Sequence, residues 1–223
     1  MLGRGKVTLQ AIQGQLFENR NFMAQVVVPD LLAACDKAPT AESRDGCAAL
    51  KGWDRRNNVD ARGAHVFREF WRTARNIPGV HRVPFDPAQP VATPAGLKME
   101  DAATAAKVWE ALDGAVKAIR TSGYTLDATL GSVQRPAITE EAIALHGGEE
   151  FEGVLNNLGR QEPAPINKAG LRIDYGTSYV QTVTFDAKGP VAQAILTYGQ
   201  STNPASPHAN DQMREFSAKR WHT

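Results

Sequence analysis

A chain of 223 residues that is 42% hydrophobic and 22% charged can bury a substantial core, as one large domain or two small ones, which excludes a disordered chain. Its 25 basic and 24 acidic side chains are mixed along the sequence and leave a formal charge of +1, so no electrostatic footprint for nucleic acid or an anionic membrane is present. No apolar run approaches the roughly 20 residues of a bilayer span, and "MLGRGKVTLQ" lacks the apolar centre of a signal peptide, so the chain is expected to be cytoplasmic or part of a longer polypeptide.

Thr8 is placed to cap a helix whose apolar positions Leu9, Ile12 and Leu16 recur at helical spacing, and a second apolar stretch from Phe22 to Leu32 is expected to be interrupted by Pro29. Cys35 and Cys47 flank the polar run "DKAPTAESRDG"; their spacing fits a small closed loop between two helices or two buried thiols, and leaves both open. "CAALKGWDRR" and "VDARGAHVFREFWRTAR" continue the helical pattern, with Val59, Val66, Phe70 and Ala74 on one face and Asp60 as the expected cap. Five prolines in residues 77–97 rule out a regular element there and predict an ordered, extended surface connection. From Asp101 to Arg120 the positions Ala105, Val108, Trp109, Leu112, Ala115, Val116 and Ile119 define an amphipathic helix that Gly123 closes.

Beyond residue 122 the period changes to two. In "LRIDYGTSYVQTVTF" the apolar residues Leu171, Ile173, Tyr175, Tyr179, Val183 and Phe185 alternate with mainly polar neighbours, which predicts a strand. "DAKGP" then turns the chain so that Val191 to Tyr198 returns antiparallel. This second strand, "VAQAILTY", is apolar on both faces, as expected of the inner part of a larger sheet. A short helix from Asp211 to Lys219 closes an α+β chain that is mainly helical over 1–122 and mainly β over 123–223, with no internal repeat.

"YGQSTNPASPHANDQ", residues 198–212, sets Ser201, His208 and Asp211 close together. A hydrolytic triad needs a serine on a sharp turn beside a base that a third group orients, and "YGQST" lacks the second glycine of a G-x-S-x-G elbow. Pro204, Pro207, Asn203 and Ser206 instead predict a rigid loop that satisfies its own backbone. "HGGEEFEGVLNN", residues 146–157, groups glycines with His146, Glu149 and Glu150 but has neither the Lys-Ser/Thr pair of a phosphate loop nor metal-ligand spacing, and reads as a turn. His65, His81, His146, His208 and His222 are scattered. The polar run "WDRRNNVDARG" is expected to be solvated or capping, and Phe67, Phe70 and Trp71 fall at core spacing.

The segment from "YGTSYVQTVTF" to "AKRW", and within it "GQSTNPASPHANDQ", resembles the C-terminal end of the large subunit in the penicillin acylase family, in the branch of acyl-homoserine-lactone and aculeacin A acylases. "LKGWDRRNNVDARGAHVFREFW", "PFDPAQPVATPAGL", "LDATLGSVQRP" and "HGGEEFEGVLN" are similar to successive family segments in the same order. The resemblance implies part of a four-layer αββα N-terminal nucleophile hydrolase fold, in an enzyme that cleaves itself into two chains. There a serine freed at a Gly-Ser junction attacks an amide carbonyl, with its own α-amino group as base. The matched segments lie downstream of that serine and of the oxyanion asparagine. No catalytic, cofactor or metal residue therefore falls in this chain; the pair Gly131 and Ser132 matches another segment. The implied partners are the small subunit and the N-terminal half of the large one, with an N-acyl small molecule as substrate. The resemblance also favours a Cys35 to Cys47 disulfide and a periplasmic or secreted setting. Two other readings stand beside this one: a non-catalytic module that binds a partner chain, and a self-contained hydrolase using Ser201, His208 and Asp211.

Overall fold

The computed structural model describes residues 5, 7–162 and 164–223. Helix α1 (Leu9–Phe17) begins where Thr8 Oγ1 accepts the Ala11 amide at 3.1 Å, as its sequence predicts. Its inward face carries Gln13, Leu16 and Phe17, whereas Ile12 is exposed, so the apolar spacing locates the helix but not its buried stripe. Helix α2 (Phe22–Ala33), capped by Asn21 Oδ1 on the Ala24 amide, runs straight through Pro29. The expected interruption does not occur. A helical proline costs about 3 kcal/mol, while the wholly buried Val27, Val28 and Leu31 contribute about 1.5–3 kcal/mol each and outweigh it.

A 3-10 turn, Cys35–Lys37, leads into α3 (Ala41–Lys51), and a disulfide joins Cys35 to Cys47 across it with the Cα atoms 6.0 Å apart. Helix α4 (Ala64–Ala74) starts later than the polar run suggests. Gly63, at φ +96°, stands at its N-cap, so Asp60 does not cap it and Val59 lies outside the helical face that Val66, Phe70 and Ala74 share. The cause is a detour: residues 58–61 make a turn, the Ala61 amide donating to the Asn58 carbonyl at 3.0 Å, and the Val59 and Ala61 carbonyls accept the Gly131 and Leu130 amides. Gly63 is also required for space, because a Cβ there would sit 2.8 Å from the Ala49 carbonyl oxygen.

The proline-rich connection folds into two short antiparallel strands, β1 (His81–Val83) and β2 (Ala95–Leu97), fastened to α2 by Asp30, whose carboxylate accepts the Leu97 amide and the Arg82 guanidinium. Helix α5 (Ala102–Ser122), capped by Asp101 and closed by Gly123, lies across α3 and α4 with Val108, Leu112, Val116 and Ile119 wholly buried.

After α5 come α6 (Leu130–Val133), β3 (Gln134–Pro136), β4 (Leu158–Gly159), β5 (Leu171–Ile173), β6 (Tyr175–Gly176), β7 (Tyr179–Asp186), β8 (Gly189–Leu196) and α7 (Asp211–Ser217). The architecture is α+β. The stretch expected as one strand from Leu171 to Phe185 is three. Gly176, at φ +129°, turns the chain against β4 so closely that a Cβ would overlap the Asn157 carbonyl. β5 pairs with β3 in parallel, β6 with β4 and β7 with β8 antiparallel, so the described strands form two-stranded pairs rather than one wide sheet.

Two hydrophobic clusters result. The larger lies among α2, α3, α4 and α5, with Phe67, Phe70 and Trp71 in mutual aromatic contact and Trp53 against Phe67. The smaller gathers Leu16, Phe17, Leu145, Leu158, Ile173, Ile195 and Phe216 beneath the β7–β8 hairpin.

Candidate functional site

The 198–212 loop is held by its own polar groups. Ser201 Oγ accepts the Asn203 amide at 3.2 Å, Asn203 Oδ1 accepts the Ala205 amide at 3.0 Å, and Ser206 Oγ accepts the His208 amide at 3.2 Å. The Gln200 amide reaches the His208 carbonyl at 2.9 Å, closing the loop onto α7. His208 Nδ1 lies 3.0 Å from Asp211 Oδ2, and that hydrogen bond is the main reason the Asp211 carboxyl titrates below its usual range. The imidazole is largely solvent-exposed, and among the described residues no hydrogen bond joins it to Ser201. Two of the three residues are in contact; the Ser201 oxygen instead accepts an amide of its own turn. The Gly131–Ser132 pair sits in α6, where Ser132 Oγ donates to the Thr129 carbonyl at 2.7 Å and Gly131 leaves room for Ala144 and Val59.

The strongest polar constellation was not singled out from sequence. Arg68, wholly buried in α4, donates from Nε to Glu152 Oε2 at 2.7 Å, and through its terminal nitrogens to Gln134 Oε1 and the Gly147 carbonyl. Glu152 Oε1 accepts from Asn21 Nδ2 at 2.9 Å and Asn57 Nδ2 at 3.0 Å, and Oε2 accepts the Glu149 amide at 2.7 Å. Gln134 Nε2 in turn donates to the Leu145 carbonyl at 2.9 Å. Every polar atom of the ion pair that these contacts name is thus satisfied, the condition under which burying opposite charges is tolerated. The segments involved are the ones read as solvated or turn-forming: "RRNN" supplies Asn57, and "HGGEEFEG" supplies Gly147, Glu149 and Glu152. The available signal was Arg68 itself, a charge in the middle of the apolar pattern of α4.

His146 packs beside this network, edge-on to Phe17 and Phe216. Its Nδ1 accepts the Val59 amide at 3.2 Å, which assigns the proton to Nε2, donating to the Ser217 carbonyl at 2.9 Å. Burial, aided by the nearby Lys219 cation, lowers its pKa to about 4. His65 is similarly enclosed, with Nε2 donating to the Thr125 carbonyl at 3.0 Å, and burial again lowers its pKa to about 4. Among the described residues both rings bond only to backbone groups.

Beside the network a cavity of about 500 Å³ is lined by Arg75, Glu149, Phe151, Asn157, Arg160 and Tyr175, among others. The Arg75 guanidinium lies 4.6 Å over the Phe151 ring, and Arg160 pairs with Glu149 at 3.6 Å. Burial pushes the Glu149 carboxyl upward, against the pull of Arg68. Among the described residues no group of three or more His, Cys, Asp or Glu side chains is placed to hold a metal ion.

Taken together, these features define an α+β scaffold organised around a satisfied buried ion pair, with no assembled nucleophile and base among the described residues. Residues 1–223 match the family model described as penicillin amidase, and the chain belongs to that family. It is 35% identical over 222 residues to the acyl-homoserine lactone acylase PvdQ of Pseudomonas syringae pv. syringae (strain B728a), an alignment covering 97% of this chain and 28% of that protein. The PvdQ acylase of Pseudomonas fluorescens (strain Pf0-1) is 34% identical over 219 residues, covering 98% and 28% respectively. Aculeacin-A acylase of Actinoplanes utahensis is 33% identical over 229 residues, covering 99% and 28%. The chain therefore spans little more than a quarter of the length of the curated relatives it matches.

Proposed function

We propose that this chain is the C-terminal scaffold of an acylase that hydrolyses the amide bond of N-acyl compounds, with acyl-homoserine lactones, lipopeptides and β-lactams as the substrate classes. The attacking serine belongs to acylase polypeptide outside these 223 residues, and the partners of this chain are the small subunit and the N-terminal half of the large one. A periplasmic or secreted enzyme is the setting that accommodates the Cys35–Cys47 disulfide. The single observation that carries the reading is the state of the one serine, histidine and aspartate cluster in the loop. Ser201 Oγ accepts the Asn203 amide and His208 faces solvent, so among the described residues this cluster is a closed turn, within a sequence that matches the penicillin amidase family throughout.

The test is hydrolysis of an N-acyl-homoserine lactone by the purified chain. No turnover is expected alone, with activity appearing only on addition of acylase polypeptide outside the matched region, and Ser201→Ala is expected to leave that restored activity intact. Turnover by the chain alone, lost in Ser201→Ala, would mean that the loop is the active centre.

A further inference from the structure

The cavity beside the Arg68 network is lined by charged groups that the chain itself leaves unsatisfied. Glu149 and Arg160 both line it, with side chains only 4% and 9% exposed. Among the described residues Glu149 Oε1 and Arg160 Nε are nevertheless without a hydrogen-bond partner. The two side chains approach to 3.6 Å at Glu149 Oε1 and Arg160 Nη2, beyond hydrogen-bond reach, so they attract without satisfying each other. Buried charged groups in that state call for a partner from outside the chain. A volume of about 500 Å³ admits a small organic molecule.

Both groups are anchored from behind. The Glu149 amide donates to Glu152 Oε2 at 2.7 Å and its carbonyl accepts the Glu152 amide at 2.9 Å, which ties the residue to the buried ion pair. A Cβ on Gly159 would stand 3.1 Å from Glu149 Cγ, so a glycine at that point of β4 gives the acidic side chain its room. Arg160 Nη2 donates to the Ala164 carbonyl, while Nε stays free. The remaining walls are aromatic. Tyr175, opposite Gly159 in the β4–β6 pairing, is 55% exposed, and the Arg75 guanidinium lies 4.6 Å over the Phe151 ring. With Glu150 also in the lining, two guanidiniums face two carboxyl groups, and a site so balanced selects a ligand bearing both charges over a plain anion or cation.

We propose that this cavity binds a free α-amino acid with an aromatic or large apolar side chain. Its carboxylate accepts from Arg160, its ammonium donates to Glu149, and its side chain lies against Phe151 and Tyr175. The spacing selects the α arrangement. Glu149 and Arg160 present their free atoms side by side, so the ligand's opposite charges must be neighbours too, as they are when one carbon carries both. A diacid would set a carboxylate against Glu149, and a diamine would set an ammonium against Arg160. This binding role rests on the chain's own residues and stands or falls apart from the acylase reading.

The experiment titrates the purified 223-residue chain with L-phenylalanine, phenylacetate and phenethylamine and follows the backbone amide resonances by NMR. L-phenylalanine should saturate, moving the Gly159, Arg160 and Tyr175 amides. Phenylacetate lacks the ammonium and phenethylamine the carboxylate, so each should bind at least about tenfold more weakly. Glu149→Gln should weaken L-phenylalanine by about tenfold or more without weakening phenylacetate, whereas Arg160→Met should weaken both. Tyr175→Ala, at the exposed rim, should weaken L-phenylalanine and leave glycine unaffected. Equal binding of phenylacetate and L-phenylalanine would make this a simple carboxylate site and overturn the proposal. So would a lack of saturation by about 10 mM, which leaves the free groups to water, or saturation that shifts resonances elsewhere and ignores Glu149→Gln. The analogue series uses the wild-type chain alone and decides the matter even where a variant fails to fold.

Discussion

Acidification from pH 7 to pH 4.5 should destabilise this chain by way of two histidines. His65 and His146 are each almost wholly buried, each donates one hydrogen bond to a carbonyl, and burial lowers each pKa from 6.5 to about 4. As pH falls below 6.5 the unfolded chain takes up protons that the folded chain refuses, so stability is fully present above that value and drains away toward pH 4. Below pH 4 both states are protonated and the loss stops. Linkage over this interval gives about 2 kcal/mol for each ring and about 4–5 kcal/mol for the pair between pH 7 and 4.5, a large share of the roughly 5–15 kcal/mol that holds a domain together. Glu149 acts in the opposite direction, because burial raises its carboxyl and the folded state gains the proton first. Urea unfolding of the wild type and of a His65→Gln, His146→Gln double variant at both pH values isolates the histidine contribution. Glutamine keeps a donor near Nε2 but does not titrate. The double variant should be less stable at pH 7 and should show a pH slope smaller by those 4–5 kcal/mol. A double variant that keeps the wild-type slope would refute the assignment.

Further variants probe the rest of the scaffold. Arg68→Leu leaves Glu152 buried without its cation, and the expected loss is about 3–5 kcal/mol, read as a lowered urea midpoint; an unchanged midpoint would mean that the network is ornamental. Cys35→Ser with Cys47→Ser opens a short loop and should cost about 3 kcal/mol, while the wild type should yield free thiols only after reduction. Thiols titrating in the unreduced, denatured wild type would disprove the bond. At the α3–α5 crossing a Cβ on Gly46 would meet Leu112 at 2.8 Å, so Gly46→Ala should destabilise by about 1–3 kcal/mol. Combined with Leu112→Ala it should destabilise less than the two losses summed; strict additivity would place the clash elsewhere.

What could be read from sequence divides along physical lines. Period and caps are local, and they located α1, α5, the hairpin and α7 closely, because Thr8, Gly123 and the Asp186–Gly189 turn act within a few residues of themselves. Errors arose where long-range contacts decide. Pro29 sits inside a helix because its neighbours are fully buried, and Asp60 does not cap α4 because residues 59–61 are drawn aside by Leu130 and Gly131. The split of residues 171–185 into three strands follows from Gly176 packing on Asn157, a contact between residues 19 positions apart. For the candidate site, the expectation of turns around Asn203 and Ser206 rested on local chemistry, and those side chains do accept amides within the loop. The Arg68 network is hard to read for the converse reason: Arg68 stands out in the apolar pattern of α4, but its partners come from residues 21, 57, 134, 147 and 152, and none of these alone points to it.

The position of that network explains why the chain tolerates so costly a device. The helical cluster and the smaller cluster under the hairpin share no buried residue, and the polar groups of Asn21, Asn57, Arg68, Gln134 and Glu152 run between segments belonging to each. An apolar seam would be comparably stable but indifferent to register. Directional bonds from one guanidinium to a carboxylate, an amide oxygen and a carbonyl admit one arrangement of α4, β3 and the 146–152 turn. His146 extends the same logic to α7 through Ser217, so helix, turn and closing helix are indexed to one another. The buried ion pair therefore fixes the relative placement of α4, β3 and the 146–152 turn, each of which it touches directly.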